Sequence, residues 1–203
     1  MIRLVAFQAS SWLPSGYPIE VAWVDENGNG EDYLIRPEPV WVEVPGSWGP
    51  ESEAVHGISM VNLMEKGFPA PHVAAKLLKA LEGKDTLAYS DSPGFDNRLV
   101  GKLLDLVDPP FDQPAELLDV KFLYSLSCGR LVSLFAPWDA LNEREDGQRR
   151  ISILASEIVS RAERDEVLRP GIRHRARPDA ERLWRKWQAV RNEVDRLLKE
   201  ERA

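Results

Sequence analysis

Two aspartates stand where helices are expected to begin. Asp96 closes the stretch Pro93-Gly94-Phe95-Asp96, and Asp179 follows Pro178 at the head of the last long helical pattern. A carboxylate in a first helical turn complements the positive end of the helix. Aimed into a cleft, it can also hold a cation. His174 lies upstream of Asp179 in Arg173-His174-Arg175-Ala176-Arg177-Pro178-Asp179-Ala180. A histidine there can take or give a proton near neutrality, or it can be a plain surface residue. A third stretch, Ala6-Phe7-Gln8-Ala9-Ser10-Ser11, ends an apolar strand pattern. Residues two apart on a strand share a face, so positions 6 and 8 look the same way, with a methyl group and a neutral amide.

The elements that must position these residues read in order. Ile2 to Phe7 is an apolar run suited to a strand buried on both faces. Pro14, Ser15 and Gly16 turn the chain into a second strand, Ile19 to Val24. A Gly-rich hairpin from Asp25 to Gly30 leads to a third strand, Tyr33 to Arg36. Residues 37–50 form a proline-rich loop holding Trp41 and Trp48, either of which suits packing or base stacking. Ser59 caps a helix to about Lys66, and Val73 to Leu81 is amphipathic and ends before Gly83. A strand over 86–90 precedes a helix opened by Pro93 and running to about Val107, stopped by Pro109 and Pro110. A strand over 117–122 and helices near 123–134, 151–164 and 178–200 complete the pattern. This order predicts an α/β fold, a mixed central sheet (an antiparallel three-strand meander plus parallel strands) flanked by helices. The expected organisation is a single domain over 1–203 with a C-terminal helix.

The 203 residues suffice for a sizeable core, and the 43% hydrophobic and 29% charged composition is that of a soluble globular protein. The opening residues lack a signal-peptide layout, and the single cysteine, Cys128, excludes an internal disulfide. A reducing, cytoplasmic setting is the expectation. The net charge of −7 argues against wholesale polyanion binding. Residues 149–191, however, carry 12 Lys and Arg against 6 Asp and Glu. That segment is either a phosphate-binding face or a set of solvated helices.

Taken together and in order, the motifs resemble the 3′–5′ exonucleases of the ribonuclease H-like fold, the four-carboxylate type with a histidine (DEDDh). Phe95-Asp96 matches that family's second motif. His174, Ala176, Asp179 and Ala180 match its third. The first motif, Asp-x-Glu-x-Thr/Ser, falls on Ala6-Phe7-Gln8-Ala9-Ser10, which keeps the serine and lacks both acids. His56-Gly57-Ile58-Ser59 stands where the family carries a similar element, although His56 also suits a role in holding its own loop by hydrogen bonds.

The resemblance implies two-metal hydrolysis of phosphodiester bonds at single-stranded DNA or RNA ends, with Mg²⁺ or Mn²⁺ held by positions 6, 8, 96 and 179. It implies that His174 is the general base, and that Ser10, Trp12, Phe95, Arg173 and Arg175 meet the substrate. With Ala6 and Gln8 in place of acids, about two positive charges go uncompensated. A single charge pair at about 4 Å is worth about 4 kcal/mol at an effective dielectric near 20. The expectation is a site that folds and turns over little or nothing, as in a non-catalytic relative or an inactivated variant. The rival expectations are a nucleic-acid or nucleotide-binding protein that does not cut, and an oligomeric scaffold. The apolar stripe Leu183, Trp184, Trp187, Val190, Val194 and Leu197 on the last helix suits a core or a homodimer face.

Overall fold

Strand alternation decides which residues meet the helices and which meet the site. β1 (Ile2–Ala9) sends Val5 and Phe7 into a core with Val21, Trp23, Ile35, Val73, Leu77, Leu99 and Leu103. Leu4, Ala6 and Gln8 therefore look to the opposite face. β2 (Pro18–Asp25) runs antiparallel to β1, with Ala6 opposite Ala22 and Gln8 opposite Glu20. The register shifts between Gln8 and Ala9. An irregularity of that kind re-aims side chains at the end of a strand. β3 (Gly30–Arg36) completes the meander. The hairpin before it is tied by Asp25, whose carboxylate accepts the N–H groups of Asn27 and Asn29.

The computed structural model describes residues 1–107, 116–134 and 141–201. Within them the sheet has six strands in the order β4-β3-β2-β1-β5-β6, where β4 is Phe68–Pro69, β5 is Leu87–Ser90 and β6 is Leu117–Asp119. β5 pairs parallel with both β1 and β6, so these three strands end along one edge. The expected mixed sheet of a meander plus parallel strands is the one found. The last strand is shorter than expected, because the chain turns into a helix at Val120. Pro109 and Pro110 lie outside the described residues.

Helices α1 (Pro39–Val42) and α2 (Pro50–His56) punctuate the segment read as a loop. Each opens on a proline at its first or second position, where the ring costs no hydrogen bond. Ser59 caps α3 (Met60–Lys66) by accepting the N–H of Asn62 at 3.2 Å. α4 (Ala70–Leu81) and α5 (Pro93–Leu104) pack the core. Trp41 and Trp48 lean on the buried Tyr17 ring at centroid distances of 5.9 and 6.4 Å, so packing occupies them.

The chain divides into two compact units, one of Met1–Asp119 with Gly171–Glu181, the other of Val120–Pro170 with Arg182–Ala203. The second holds α6 (Val120–Gly129), a 3-10 turn (Arg130–Leu134), α7 (Leu141–Leu168) and most of α8 (Ala176–Glu200). Inside it the Arg185 and Arg169 side chains donate to the buried Glu166 carboxylate at 2.8 and 3.1 Å. Of the stripe on the last helix, Leu183, Trp187, Val190 and Val194 are buried, while Trp184 and Leu197 are half-buried at its margins. No described helix is long and apolar enough to cross a membrane.

Two glycines on either side of the β1 edge test this account. A Cβ at Gly16 would sit 2.1 Å from the Ser11 carbonyl oxygen, whereas one at Gly94 would meet nothing within 4 Å. Gly16→Ala is expected to lose about 3 kcal/mol in urea denaturation. Gly94→Ala, in a helical first turn, should be neutral or gain about 0.4–1 kcal/mol.

Candidate functional site

Two pairs of the residues singled out by sequence meet in the structure, Gln8 with Asp179 and Trp12 with Phe95. The Gln8 side-chain amide donates to the Asp179 carboxylate at 3.0 Å, joining the end of β1 to the first turn of α8. Ala6 stands two residues earlier on the same face, 5% exposed. Asp179 is part of the first helical turn, its N–H donating to the Arg175 carbonyl at 3.0 Å. The sequence places these groups in one neighbourhood, and the bond between Gln8 and Asp179 makes it a contact.

Asp96 sits in the first turn of α5, directly after β5. Its N–H and that of Phe95 donate to the Ser92 carbonyl, each at 2.9 Å. Asn97 fixes the helix start to β6, donating to the Leu117 carbonyl at 3.1 Å and accepting the Leu117 N–H at 2.8 Å. The Asp96 carboxyl is buried, and burial raises its pKa to about 7. The nearby Ser90 hydroxyl pulls the other way, short of full hydrogen-bond geometry, and the Asp91 charge adds to the rise.

Trp12 stands 65% exposed beyond the end of β1. Its ring is tilted against Phe95 at a centroid distance of 5.1 Å, and the Arg98 guanidinium lies 4.8 Å from the centre of the same Phe95 ring. This aromatic and cationic cluster adjoins Asp96 along α5. Arg98 belongs to it although no motif marks the residue. An arginine one helical turn after an aromatic is the signal that could have found it.

Two residues expected to meet a substrate are engaged within the chain. Ser10 is fully buried: its hydroxyl donates to the Ser47 carbonyl at 2.5 Å and accepts the Tyr17 N–H at 2.9 Å. That side chain ties the strand end to the proline-rich segment, and both its roles are used internally. Arg175 does not point free toward a phosphate. Its guanidinium forks onto Glu20 of β2, with Nε 3.0 Å from both carboxylate oxygens and Nη2 2.5 Å from Oε1. Glu20 also accepts the Ala176 N–H at 2.7 Å and is itself 2% exposed. The buried acid opposite Gln8 was not singled out from sequence. Its signal is a lone charge inside the apolar run Tyr17-Pro18-Ile19-Glu20-Val21-Ala22-Trp23.

Arg173 and His174 are exposed on the segment before α8, and His174 holds a left-handed φ of 58°. Few side chains other than glycine adopt that conformation, so something must hold it. His56 is buried; its Nδ1 accepts the Ile58 N–H at 3.0 Å, which bears out its reading as a loop-holding residue. Desolvation lowers its pKa, with Glu53 and Glu20 opposing and Arg175 adding to the fall. Ion pairs interrupt the basic segment: within the first unit Arg175 meets Glu20 and Arg177 meets Glu181, and within the second Arg161 meets Glu193 while Arg169 and Arg185 meet Glu166. These arginines are engaged within the chain rather than held out as a continuous phosphate-binding face.

The donor set does not fit a pair of divalent cations. Ala6 offers no donor atom, and Gln8 presents an N–H to the carboxylate that would bind. Among the described residues no three His, Cys, Asp or Glu side chains come together as a metal site.

No protein-family model matches this sequence, and no curated protein matches it significantly. Solved structures do. E. coli exonuclease I bound to single-stranded DNA, in its zinc-ion-bound form, is similar at a TM-score of 0.60 and 15% identity, over 98% of this chain and 42% of that one. The same enzyme in complex with a dT13 oligonucleotide is similar at 0.60 and 14% identity, again over 98% and 42%. A further exonuclease I structure gives 0.59 and 15% identity, over 98% and 43%. The chain thus spans about two-fifths of the length of the exonuclease I chains it matches. At this identity the likeness is one of fold: the chain has the mixed α/β, ribonuclease H-like architecture of those exonucleases.

The buried Asp96 carboxyl yields a pH prediction. With a folded pKa of about 7 against an unfolded value near 3.9, the folded chain keeps a proton that the unfolded chain has lost. Stability therefore falls as pH rises between these values and is level above them. Asp96→Asn removes that loss, by up to about 4 kcal/mol at about pH 8, with little difference at about pH 4. Urea denaturation of both proteins across this range checks it; parallel curves would show that burial does not hold the proton.

Proposed function

We propose that this chain is a 3′–5′ exonuclease-family protein that engages single-stranded DNA or RNA ends and whose hydrolytic site is disabled at positions 6 and 8. The observation that carries this reading is the Gln8–Asp179 hydrogen bond. It joins the residue of β1 on which the first motif falls to the residue of α8 on which the third motif falls, which supports the resemblance. It also shows a neutral amide satisfying the acid where a second carboxylate is expected. Asp96 and Asp179 are the surviving ligand positions, and His174 occupies the general-base position. With Ala6 and Gln8 the site lacks the negative charge to hold Mg²⁺ or Mn²⁺.

Engagement of an end is supported by the exposed Trp12, backed by Phe95 and Arg98. Stacking of a base on such a ring is worth about 1–3 kcal/mol and is tolerant of sequence. The exonuclease I structures similar to this chain include complexes with single-stranded DNA, which is consistent with that assignment. The same hydrogen bond favours a second reading, a protein that binds nucleic-acid ends or nucleotides without cutting them, since the acid is already satisfied.

The test has two arms. A short labelled single strand should bind in EDTA with an affinity that falls as salt rises, and Trp12→Ala should weaken it by about tenfold. The chain as it stands should release no nucleotides with Mg²⁺ or Mn²⁺, whereas Ala6→Asp with Gln8→Glu should degrade the strand from its 3′ end. Robust turnover by the unaltered chain would refute the disabled site. Binding with no cleavage after the double substitution would select the second reading, and no salt-dependent binding would sink both.

A further inference from the structure

Glu20 is the third residue of β2, 2% exposed, and its Cα is the direct cross-strand partner of Gln8. Residues opposite each other on an antiparallel pair share a face, so the Glu20 carboxylate and the Gln8 amide rise from the sheet side by side. The amide reaches Asp179. The carboxylate reaches the segment that precedes Asp179, taking the Arg175 fork and the Ala176 N–H.

That N–H is one of the orphan donors at the start of α8, and a carboxylate placed on it satisfies the donor and the helix dipole together. The fork fixes the orientation of Arg175 as well as its charge. His174 is the residue immediately before the fork, held at φ 58°. Asp179 closes the same turn, since its N–H bonds the Arg175 carbonyl. One buried carboxylate thus grips the chain between the residue in the general-base position and the residue in the ligand position.

We propose that Glu20 is a positioning residue, whose clamp on Arg175 and the Ala176 N–H sets where His174 and Asp179 stand against the end of β1. This rests on the site proposed above for its role in cleavage, while the clamp itself is a property of the fold. Arg175 is the other half of the device and is not a phosphate contact.

The experiment uses the full chain and measures amide exchange over residues 171–181 together with the backbone and imidazole NMR shifts of His174. His72, which stacks on Phe68 from α4, serves as the internal control. Glu20→Gln and Arg175→Met should each speed exchange of the 174–180 amides by about tenfold or more, with the β1 and α5 amides unchanged. The double variant should exceed neither single, because both remove one interaction. His174 shifts should move and those of His72 should not. Arg175→Lys, which keeps the charge and loses the fork, should fall between and gives the same readout should Glu20→Gln unfold. In the Ala6→Asp, Gln8→Glu background, Glu20→Gln should lower kcat by about tenfold to a hundredfold with KM little changed. Unaltered loop exchange and His174 shifts in folded variants, or additive effects in the double, overturn the clamp. Altered loop readouts beside an inert Ala6→Asp, Gln8→Glu background retain the clamp and count against the exonuclease reading alone.

Discussion

A carboxylate in the first turn of a helix, facing the end of a strand, needs a donor or a cation beside it. Here the donor is the Gln8 amide, 3.0 Å from Asp179. A second carboxylate at that place would repel the first by about 4 kcal/mol at 4 Å and an effective dielectric near 20, unless a cation stood between them. The neutral amide removes the need. The start of α8 can lie on β1 with its acid satisfied.

The wider edge shows three acids handled in three ways, and the differences follow from their partners. Glu20 is buried and compensated by a guanidinium fork and a helix N–H. Asp179 is half-buried and meets an amide. Asp96 is buried beside a serine and a second aspartate, so the proton itself becomes its compensation and its pKa climbs to about 7. All three belong to elements meeting where the parallel and antiparallel halves of the sheet join. In open α/β sheets that is where ligands bind, because the strand ends diverge there and the helix starts point inward. The parallel pairing of β1 with β5 and of β5 with β6 puts Asp96 and Gln8 on one edge.

What the sequence made legible is what local rules govern. The meander, the Ser59 cap, the proline-opened α5 and the apolar stripe of α8 follow from alternation, turn residues and periodicity, and they were found. The one-turn α1 and the short α2 were hidden inside a proline-rich stretch whose breakers are also helix openers. β6 was overextended because Val120 and Phe122 suit strands by propensity, while tertiary packing turns them into α6. At the candidate site, spacing and resemblance pointed to Gln8, Asp179 and Asp96, and the first two are in contact. The pairing of Arg175 with Glu20 was not legible, because a long-range ion pair between residues 20 and 175 leaves no local pattern. Ser10 is a like case, since its motif position says nothing about the Ser47 carbonyl that accepts its hydrogen bond.

In the function proposed above, hydrolysis and end binding would draw on separate residues, so the loss of one would not cost the other. The acids that hydrolysis would need are absent from one face of β1, at Ala6 and Gln8. The surface proposed for a base, Trp12 against Phe95 with Arg98 behind, stands on the β1–β2 turn and on α5. That turn is held by Gly16, whose N–H bonds the Leu13 carbonyl at 2.9 Å, and by the Ser10 hydroxyl on the Tyr17 N–H. None of these supports involves position 6 or 8. A substitution there changes the charge at the strand end and leaves the stacking surface built as before. On that proposal, a chain unable to cut would still hold an end, because the side chains that would stack on a base are supported independently of positions 6 and 8.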